Sequence, residues 1–293
     1  MAKSIAVIGT EGTNSTHWIG AFLSAGWEVR SLVRDPTRVL PHPNQAFVRF
    51  DLDDFTTFEA ALAGVDVLGL VSPADPRQVE REGRLIEAAK RVGMERVVKV
   101  SVIGAERATP ISQFARWSHQ VENTLRSAAV PHVVLRANLY MQNLLRQRDS
   151  ILKGQYVEPL ADSAVTLLDV RDVADAAVVV AGGRFDGRAL ILTGAEALTG
   201  RQMADTLSAA LGQPVRFVSP DLHNFGAALA EKGVPAWRRD SLVELYSAIQ
   251  DGLAPHLALT TSDFTAITGK PPRTFRRFAQ EAFGFSVKGA SEG

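Results

Sequence analysis

Through the first two-thirds of the chain, short apolar, β-branched runs alternate with segments whose apolar residues recur at helical spacing. Ser4–Ile8 reads as a strand, and Trp18, Ile19, Phe22 and Leu23 then form a helical stripe ending at Gly26. Strands are predicted at Val29–Val33, Ala46–Phe50 and Val65–Val71, with a short helix over Phe55–Ala63 before the last. A helix over Arg77–Val92, stopped by Gly93, leads to a strand at Arg96–Val100. A helix over Ser112–Ala128 and a strand at His132–Arg136 follow. Such alternation predicts βαβ units and a parallel sheet covered on both faces. Right-handed crossovers make that sheet open and doubly wound, with ligands at the carboxyl ends of its strands.

After about residue 150 the rhythm loosens. Thr166–Val170 and Ala189–Leu192 still read as strands, with a helix over Val173–Ala181 between them. Beyond Gly194 the pattern is mostly helical, broken at Gly212–Pro214 and Lys270–Arg273. The expectation is therefore an α/β protein: a Rossmann-type doubly wound parallel sheet with a smaller, mostly helical substrate lobe. The sheet domain is placed at residues 1–155, with segments within 163–193 returning to it. The lobe is placed at 156–293 and interleaved with the sheet. The glycine- and serine-rich tail after Phe285 is expected to fray.

Composition narrows the chemistry. A chain of 293 residues, 46% hydrophobic and 22% charged, reads as an ordinary globular protein with a sizeable core. Its 32 basic and 32 acidic side chains balance, which removes the electrostatic case for nucleic acid or an anionic membrane. There is no cysteine, so disulfides, thiolate metal sites and thiol nucleophiles are excluded. The six histidines, at 17, 42, 119, 132, 223 and 256, show no metal-ligand spacing, and no metal is expected. The opening MAKSIAVIG has no leader-like pattern, and the longest apolar run, Ala176–Ala181, is far below the roughly 20 residues of a membrane span. The expected setting is cytoplasmic, as monomer or homodimer.

The strongest motif follows the first strand. Gly9-Thr10-Glu11-Gly12-Thr13-Asn14-Ser15 has the form Gly-x-x-Gly-x-x-Ser and opens the first helix. Gly9 permits the tight turn, and Gly12 lets backbone amides approach a pyrophosphate at the positive helix end. Ser15 takes the third position, where a small residue lets the helix pack close to the strand. After the second strand, Arg34 stands first and Arg38 one turn on. Arginine there suits the 2′-phosphate of NADP(H), which is preferred; Asp35 keeps NAD(H) open.

These residues resemble the NmrA-like branch of atypical short-chain dehydrogenases/reductases, over nearly the whole chain from Gly9 to about Phe278. The carriers are the Gly9–Ser15 loop, Val33-Arg34-Asp35-Pro36, Asp51-Leu52-Asp53-Asp54 and Val71-Ser72-Pro73. Ser101-Val102-Ile103-Gly104-Ala105 and the run from Leu135 to Asn143 follow, then Asp169–Asp172 and Leu192-Thr193-Gly194. The resemblance implies that Thr10, Thr13 and Asn14 share in the phosphate loop and that Asp51 and Leu52 meet the adenine. It also implies that Val71, Ser72 and Pro73 line the cofactor path, while Ala137, Asn138 and Leu139 sit near the nicotinamide. Asn14 and Ser15 depart from the small apolar residue or glycine common in that branch.

Conventional members of the wider family use a Tyr-x-x-x-Lys pair. Here the residues four places after Tyr140, Tyr156 and Tyr246 are Leu144, Leu160 and Gln250, so the pair is absent. In the corresponding helix Ala115 takes the tyrosine position and His119 the lysine position. Phe114, Trp117, Val121 and Leu125 are expected to form the buried seam, which places His119 about 140° from Phe114. His119 then faces either solvent or the cleft, where it could donate a proton or hold a ribose. Ser101 either binds a substrate oxygen or caps backbone. Tyr140 and Asn143 either shape the substrate site or simply pack. Glu122, one turn after His119, either orients it or, as the favoured expectation, is an exposed helix glutamate, and Asp172 is expected to cap or brace a helix.

Three readings follow. The first is an NADPH-dependent reductase that passes hydride to a conjugated small molecule such as an enone, quinone or iminium ion, in secondary metabolism for instance. The second is a non-catalytic NAD(P)-sensing regulator of the NmrA type. The third is a non-redox cyclase or isomerase on the same fold.

Overall fold

The computed structural model describes residues 2–10, 12–38 and 43–284. Its elements begin with β1 (Ser4–Ile8), α1 (Thr13–Ser24), β2 (Glu28–Val33), β3 (Gln45–Arg49), α2 (Phe58–Leu62) and β4 (Val67–Leu70). Next come α3 (Gln78–Arg91), β5 (Arg96–Val102), α4 (Gln113–Ala128), β6 (His132–Ala137), α5 (Arg148–Leu152), β7 (Gln155–Val157) and β8 (Ala164–Thr166). Then follow α6 (Val170–Ala181), β9 (Ala189–Leu192), β10 (Ala197–Thr199), α7 (Gly200–Leu211) and β11 (Arg216–Val218). The last are α8 (Leu222–Glu231), α9 (Ala236–Gln250), α10 (Asp263–Thr268) and α11 (Phe275–Phe283).

Two compact units share this chain. The first runs through Ala137 and adds Val170–Leu192 and Thr261–Lys270; the second holds Asn138–Asp169, Thr193–Thr260 and Pro271 onward. The expected boundary at 155 thus moves to the end of β6, where the chain leaves the sheet. The return expected within 163–193 is Val170–Leu192. The second return, around α10, has no periodic signal in the sequence.

In the first unit seven strands lie parallel in the order β3-β2-β1-β4-β5-β6-β9. The order reverses between β1 and β4, which opens a crevice beyond their carboxyl ends. Alternate residues serve opposite faces. Ala6, Ile8, Leu68 and Leu70 join Leu85 and Ile86 of α3 and Val121 and Leu125 of α4 in one core layer. Gly69, of the other parity, lies under Trp18 of α1; a Cβ there would stand 3.1 Å from the indole ring. At the sheet's edge, Asp263 of α10 accepts from the Ile191 amide at 2.7 Å, engaging a backbone group of β9.

Several expected elements shift. Phe55–Ala63 divides into a 3-10 turn, Phe55–Thr57, and α2. The strand expected at Thr166–Val170 ends at Thr166, and Val170 already begins α6, with Asp172 buried in its first turn. The α4 seam is rotated: Ala115, Ser118, Val121, Glu122, Leu125 and Ala128 are buried, whereas Phe114 and Trp117 are only half-buried. Small Ala115 and Ser118 let the helix lie close to the sheet, and Glu122 is buried because its charge is matched.

The second unit holds two small sheets, β10 antiparallel to β8 and β11 parallel to β7, which the mostly helical reading beyond Gly194 did not include. Gly194 lies against backbone: a Cβ would come within 1.9 Å of the Leu167 carbonyl oxygen. Helix α11 buries Phe275 and Phe278 and packs on α7, while Arg277 pairs with Glu281 at 2.7 Å. Among the described residues no helix is long and apolar enough to cross a membrane. The tail after Phe285 lies outside the described residues.

Candidate functional site

The β1–α1 loop is built by three local devices. Gly9 takes φ +74°, a left-handed conformation that side chains disfavour, and its amide donates to the Leu32 carbonyl at 2.7 Å. Ser15 is buried and donates to the Ile8 carbonyl at 2.7 Å, so its hydroxyl ties the helix to the strand end. Thr16 donates to the Thr10 carbonyl at 2.8 Å. Gly12, in extended conformation, is the helix N-cap and supplies no side-chain cap. The amides of Thr13, Asn14 and Ser15 have no intrahelical acceptor, a ready place for an anion. Asn14 Oδ1 is buried and lacks a donor among the described residues.

Beyond β2, Arg34 is exposed and has no hydrogen bond or ion pair among the described residues. Asp35 turns the other way, accepting from the Thr37 amide at 3.0 Å and its hydroxyl at 2.6 Å. The Arg38 side chain lies outside the described residues. After β3, exposed Asp51 accepts from the Asp53 amide at 3.0 Å, and Leu52 is half-buried. Asp53 pairs with Arg77 and Arg81; the hydrogen bond from Arg81 and the surrounding positive charge hold its carboxyl below the usual range.

At the end of β4, Val71 is buried and Pro73 exposed. The Ser72 hydroxyl turns inward to Glu82, which also receives Lys99 at 3.0 Å and Gln78 at 3.1 Å. Ser72 can therefore line a cofactor path through its backbone, since its side chain is committed to this buried cluster.

A second charged cluster lies beneath the ends of β5 and β6. Ser101 is buried and donates to Glu122 at 2.6 Å; Arg136 reaches Glu122 at 2.7 Å. Burial alone would raise the Glu122 carboxyl, but the bonds from Arg136 and Ser101 hold it below its ordinary value. Glu122 is therefore a buried brace, contrary to its expected exposure, and it engages Ser101 and Arg136. The half-buried His119 bonds through Nδ1 to the Ala105 carbonyl at 2.7 Å. That carbonyl accepts, so Nδ1 carries a proton, and Nε2 has no hydrogen bond among the described residues. Ala137 closes the row, buried at the end of β6.

The remaining candidates belong to the second unit. Asn138 is buried; its Oδ1 accepts from the Leu139 amide at 2.8 Å and its Nδ2 donates to Leu257 at 3.0 Å. Its amide thus fastens two segments of that unit. Half-buried Tyr140 forms a parallel bridge with Leu168, and Asn143 is exposed in the 3-10 segment Met141–Gln147. Sequence reasoning missed Glu158. It accepts from Gln147 at 3.0 Å and from the Tyr246 hydroxyl, and burial pushes its carboxyl up to about 7 despite the Gln147 bond. Its partners lie 11 and 88 residues away, a spacing no local pattern reveals. Among the described residues no group of three or more His, Cys, Asp or Glu could hold a metal.

Comparison with known proteins yields a consistent set. The model of the NmrA-like family matches residues 1–252. The chain is 34% identical over 282 residues to an NAD(P)H azoreductase of Xenophilus azovorans, covering 94% of this chain and 96% of that protein. It is 30% identical over 280 residues to a (4-alkanoyl-5-oxo-2,5-dihydrofuran-3-yl)methyl phosphate reductase of Streptomyces griseus, covering 94% and 97%. The structure of an NADPH-dependent quinone oxidoreductase from Escherichia coli, complexed with NADPH, superposes with TM-score 0.84. That pair shares 23% identity over 96% of this chain and 100% of the other, a likeness of fold.

Proposed function

The chain belongs to the NmrA-like family, and from that premise we propose that it is an NADPH-dependent reductase acting on a conjugated small-molecule electrophile. Enones, quinones and iminium ions are the acceptors in view. The observation that carries the reading is the β1–α1 cradle with Arg34 beside it. An uncapped helix end and a left-handed Gly9 suit a dinucleotide diphosphate, and the buried Asn14 Oδ1, without a donor among the described residues, suits a ribose hydroxyl. The Arg34 guanidinium has no ion pair among the described residues and so suits a 2′-phosphate, whereas Asp35 is engaged with Thr37. That contrast favours NADP(H) over NAD(H). One relative named as an NAD(P)H azoreductase and another named as a reductase lend support.

When bound, the dinucleotide supplies hydride. Thr10, Gly12, Thr13, Asn14 and Ser15 would hold its diphosphate, with Asp51 and Leu52 toward the adenine. The backbone of Val71, Ser72 and Pro73 and of Ala137, Asn138 and Leu139 would border its path. His119, held at Nδ1 by Ala105, would, as the doubly protonated imidazolium, give the balancing proton from Nε2 to the acceptor and be left as the neutral Nδ1–H ring. Ser101 donates to Glu122, so it offers a substrate only lone pairs and orients rather than protonates. Tyr140 and Asn143 are proposed to meet the acceptor. In giving that proton, His119 would supply the acid assistance that the missing Tyr-x-x-x-Lys pair would otherwise give.

The test is NADPH consumption, followed optically, with a panel of enones, quinones and iminium ions. At least one class should support turnover, and His119→Ala should lower kcat about 100-fold while leaving NADPH binding unchanged. Binding of NADPH without turnover on any acceptor would overturn the reading in favour of a sensor. Product formed without cofactor oxidation would favour a cyclase or isomerase.

A further inference from the structure

The turn that follows β5 is buried and tied down at several points. The Ile103 amide donates to the Ala137 carbonyl at 3.0 Å, and the Ala105 amide to the Val102 carbonyl at 3.2 Å. Gly104 takes φ +93°, a left-handed conformation that a side chain would strain. Its buried amide donates to Glu106 Oε2 at 3.0 Å. That bond closes a ring of atoms through residues 104–106, and the Ala105 carbonyl projects from the ring. The same carbonyl accepts from His119 Nδ1 at 2.7 Å. The direction of one peptide group therefore decides which imidazole nitrogen is held.

Glu106 is itself connected to the buried brace. Its Oε2 lies 3.7 Å from Arg136 Nε, and Arg136 donates to Glu122 at 3.1 and 2.7 Å. Glu122 accepts in turn from Ser101 at 2.6 Å. The Glu106 side chain is 31% exposed, so its long ion pair with Arg136 contributes little. Its bond to Gly104 matters more, because that buried amide has no other acceptor among the described residues.

We propose that Glu106 is a positioning residue: by bonding the Gly104 amide it fixes the direction of the Ala105 carbonyl, and so sets which nitrogen of His119 gives up a proton. Held this way, Nδ1 keeps its hydrogen, and Nε2 is the nitrogen that releases a proton and is left bare. A free histidine prefers the opposite neutral form, with hydrogen on Nε2, so the loop imposes the Nδ1–H form. The proton transfer rests on the reductase reading above; the tautomer rests on the loop alone.

Heteronuclear NMR of the full chain with labelled histidine nitrogens reads the tautomer directly, without acceptor and in mildly alkaline buffer where imidazoles are neutral. The His119 signals are assigned by their loss in His119→Gln. Wild type should show a hydrogen-bearing shift at Nδ1 and a bare shift at Nε2. Glu106→Ala should move both toward the reverse pattern, as should Glu106→Met, which keeps the side-chain length without its oxygens. Glu106→Gln, whose amide oxygen still accepts from Gly104, should retain the wild-type shifts. A cooperative thermal melt shows that each variant is folded. In turnover, Glu106→Ala should lower kcat about tenfold with the KM for NADPH within about twofold, and adding it to His119→Ala should cost nothing further. A wild-type ring that already carries its hydrogen on Nε2 overturns the positioning role, as do wild-type shifts in both Glu106→Ala and Glu106→Met. So does a loss of kcat that adds to that of His119→Ala. The expected shifts with no turnover on any acceptor sink the reductase reading and leave the tautomer control. Turnover that His119→Ala loses and Glu106→Ala keeps in full sinks the positioning role and leaves the reductase.

Discussion

Arg34 and Asp35 stand side by side after β2 and differ in their partners, and the proposed preference for NADP(H) rests on that difference. Asp35 closes on Thr37, whereas Arg34 has no acid partner among the described residues. Arg34→Ala should therefore raise the KM for NADPH about 10- to 100-fold, the range expected for losing a charge-assisted bond, and leave the KM for NADH within about twofold. Equal losses with both cofactors would place Arg34 elsewhere. Residue-scale features of the loop were legible because they are backbone matters: Gly9 alone could take φ +74° cheaply. Ser15 carried a further meaning that spacing could not show. Its hydroxyl, read as a small departure from the usual third position, bonds the end of β1.

At the scale of elements, apolar periodicity located most strands and helices but misjudged which face of α4 is buried. Phe114 and Trp117 carry the largest apolar surface, yet the sheet receives Ala115, Ser118 and Glu122. The carboxylate is tolerated because Arg136 comes from β6 and Ser101 from β5, partners no single helix pattern contains. The same logic governs Lys99 of β5 and Glu82 of α3, both buried and 3.0 Å apart. Lys99→Met would leave the Glu82 charge unpaired and should lower stability by about 3–5 kcal/mol, measured as a denaturant midpoint. Adding Glu82→Gln should recover most of that loss, since the amide can still meet Ser72 and Gln78. No recovery in the double variant would show that packing, not the stranded charge, accounts for the loss.

For the molecule as a whole, Glu158 links stability to pH. Its folded carboxyl is pushed up to about 7 from an ordinary 4.5. Below the ordinary value both folded and unfolded chains hold the proton, and the contribution is fully present. As pH rises from there through about 7, the unfolded chain releases its proton more readily, and stability is lost. The difference is worth up to about 3 kcal/mol. Melting temperature should thus fall between about pH 5 and pH 8, and Glu158→Gln should flatten that fall. An unchanged slope in the variant would remove Glu158 as its source.

The alternation of strand and helix, the glycine loop and the absence of cysteine and of Tyr-x-x-x-Lys were determined by sequence alone. Each depends on residues close along the chain or on residue types being missing. Tertiary structure decided the rest. It set the boundary at Ala137, the return through α10, the small sheets of the second unit and the burial of Glu122. It also brought Glu158 to Tyr246 across 88 residues. Charges and carboxyls take their character from neighbours supplied by other segments, and only the folded chain brings those neighbours together.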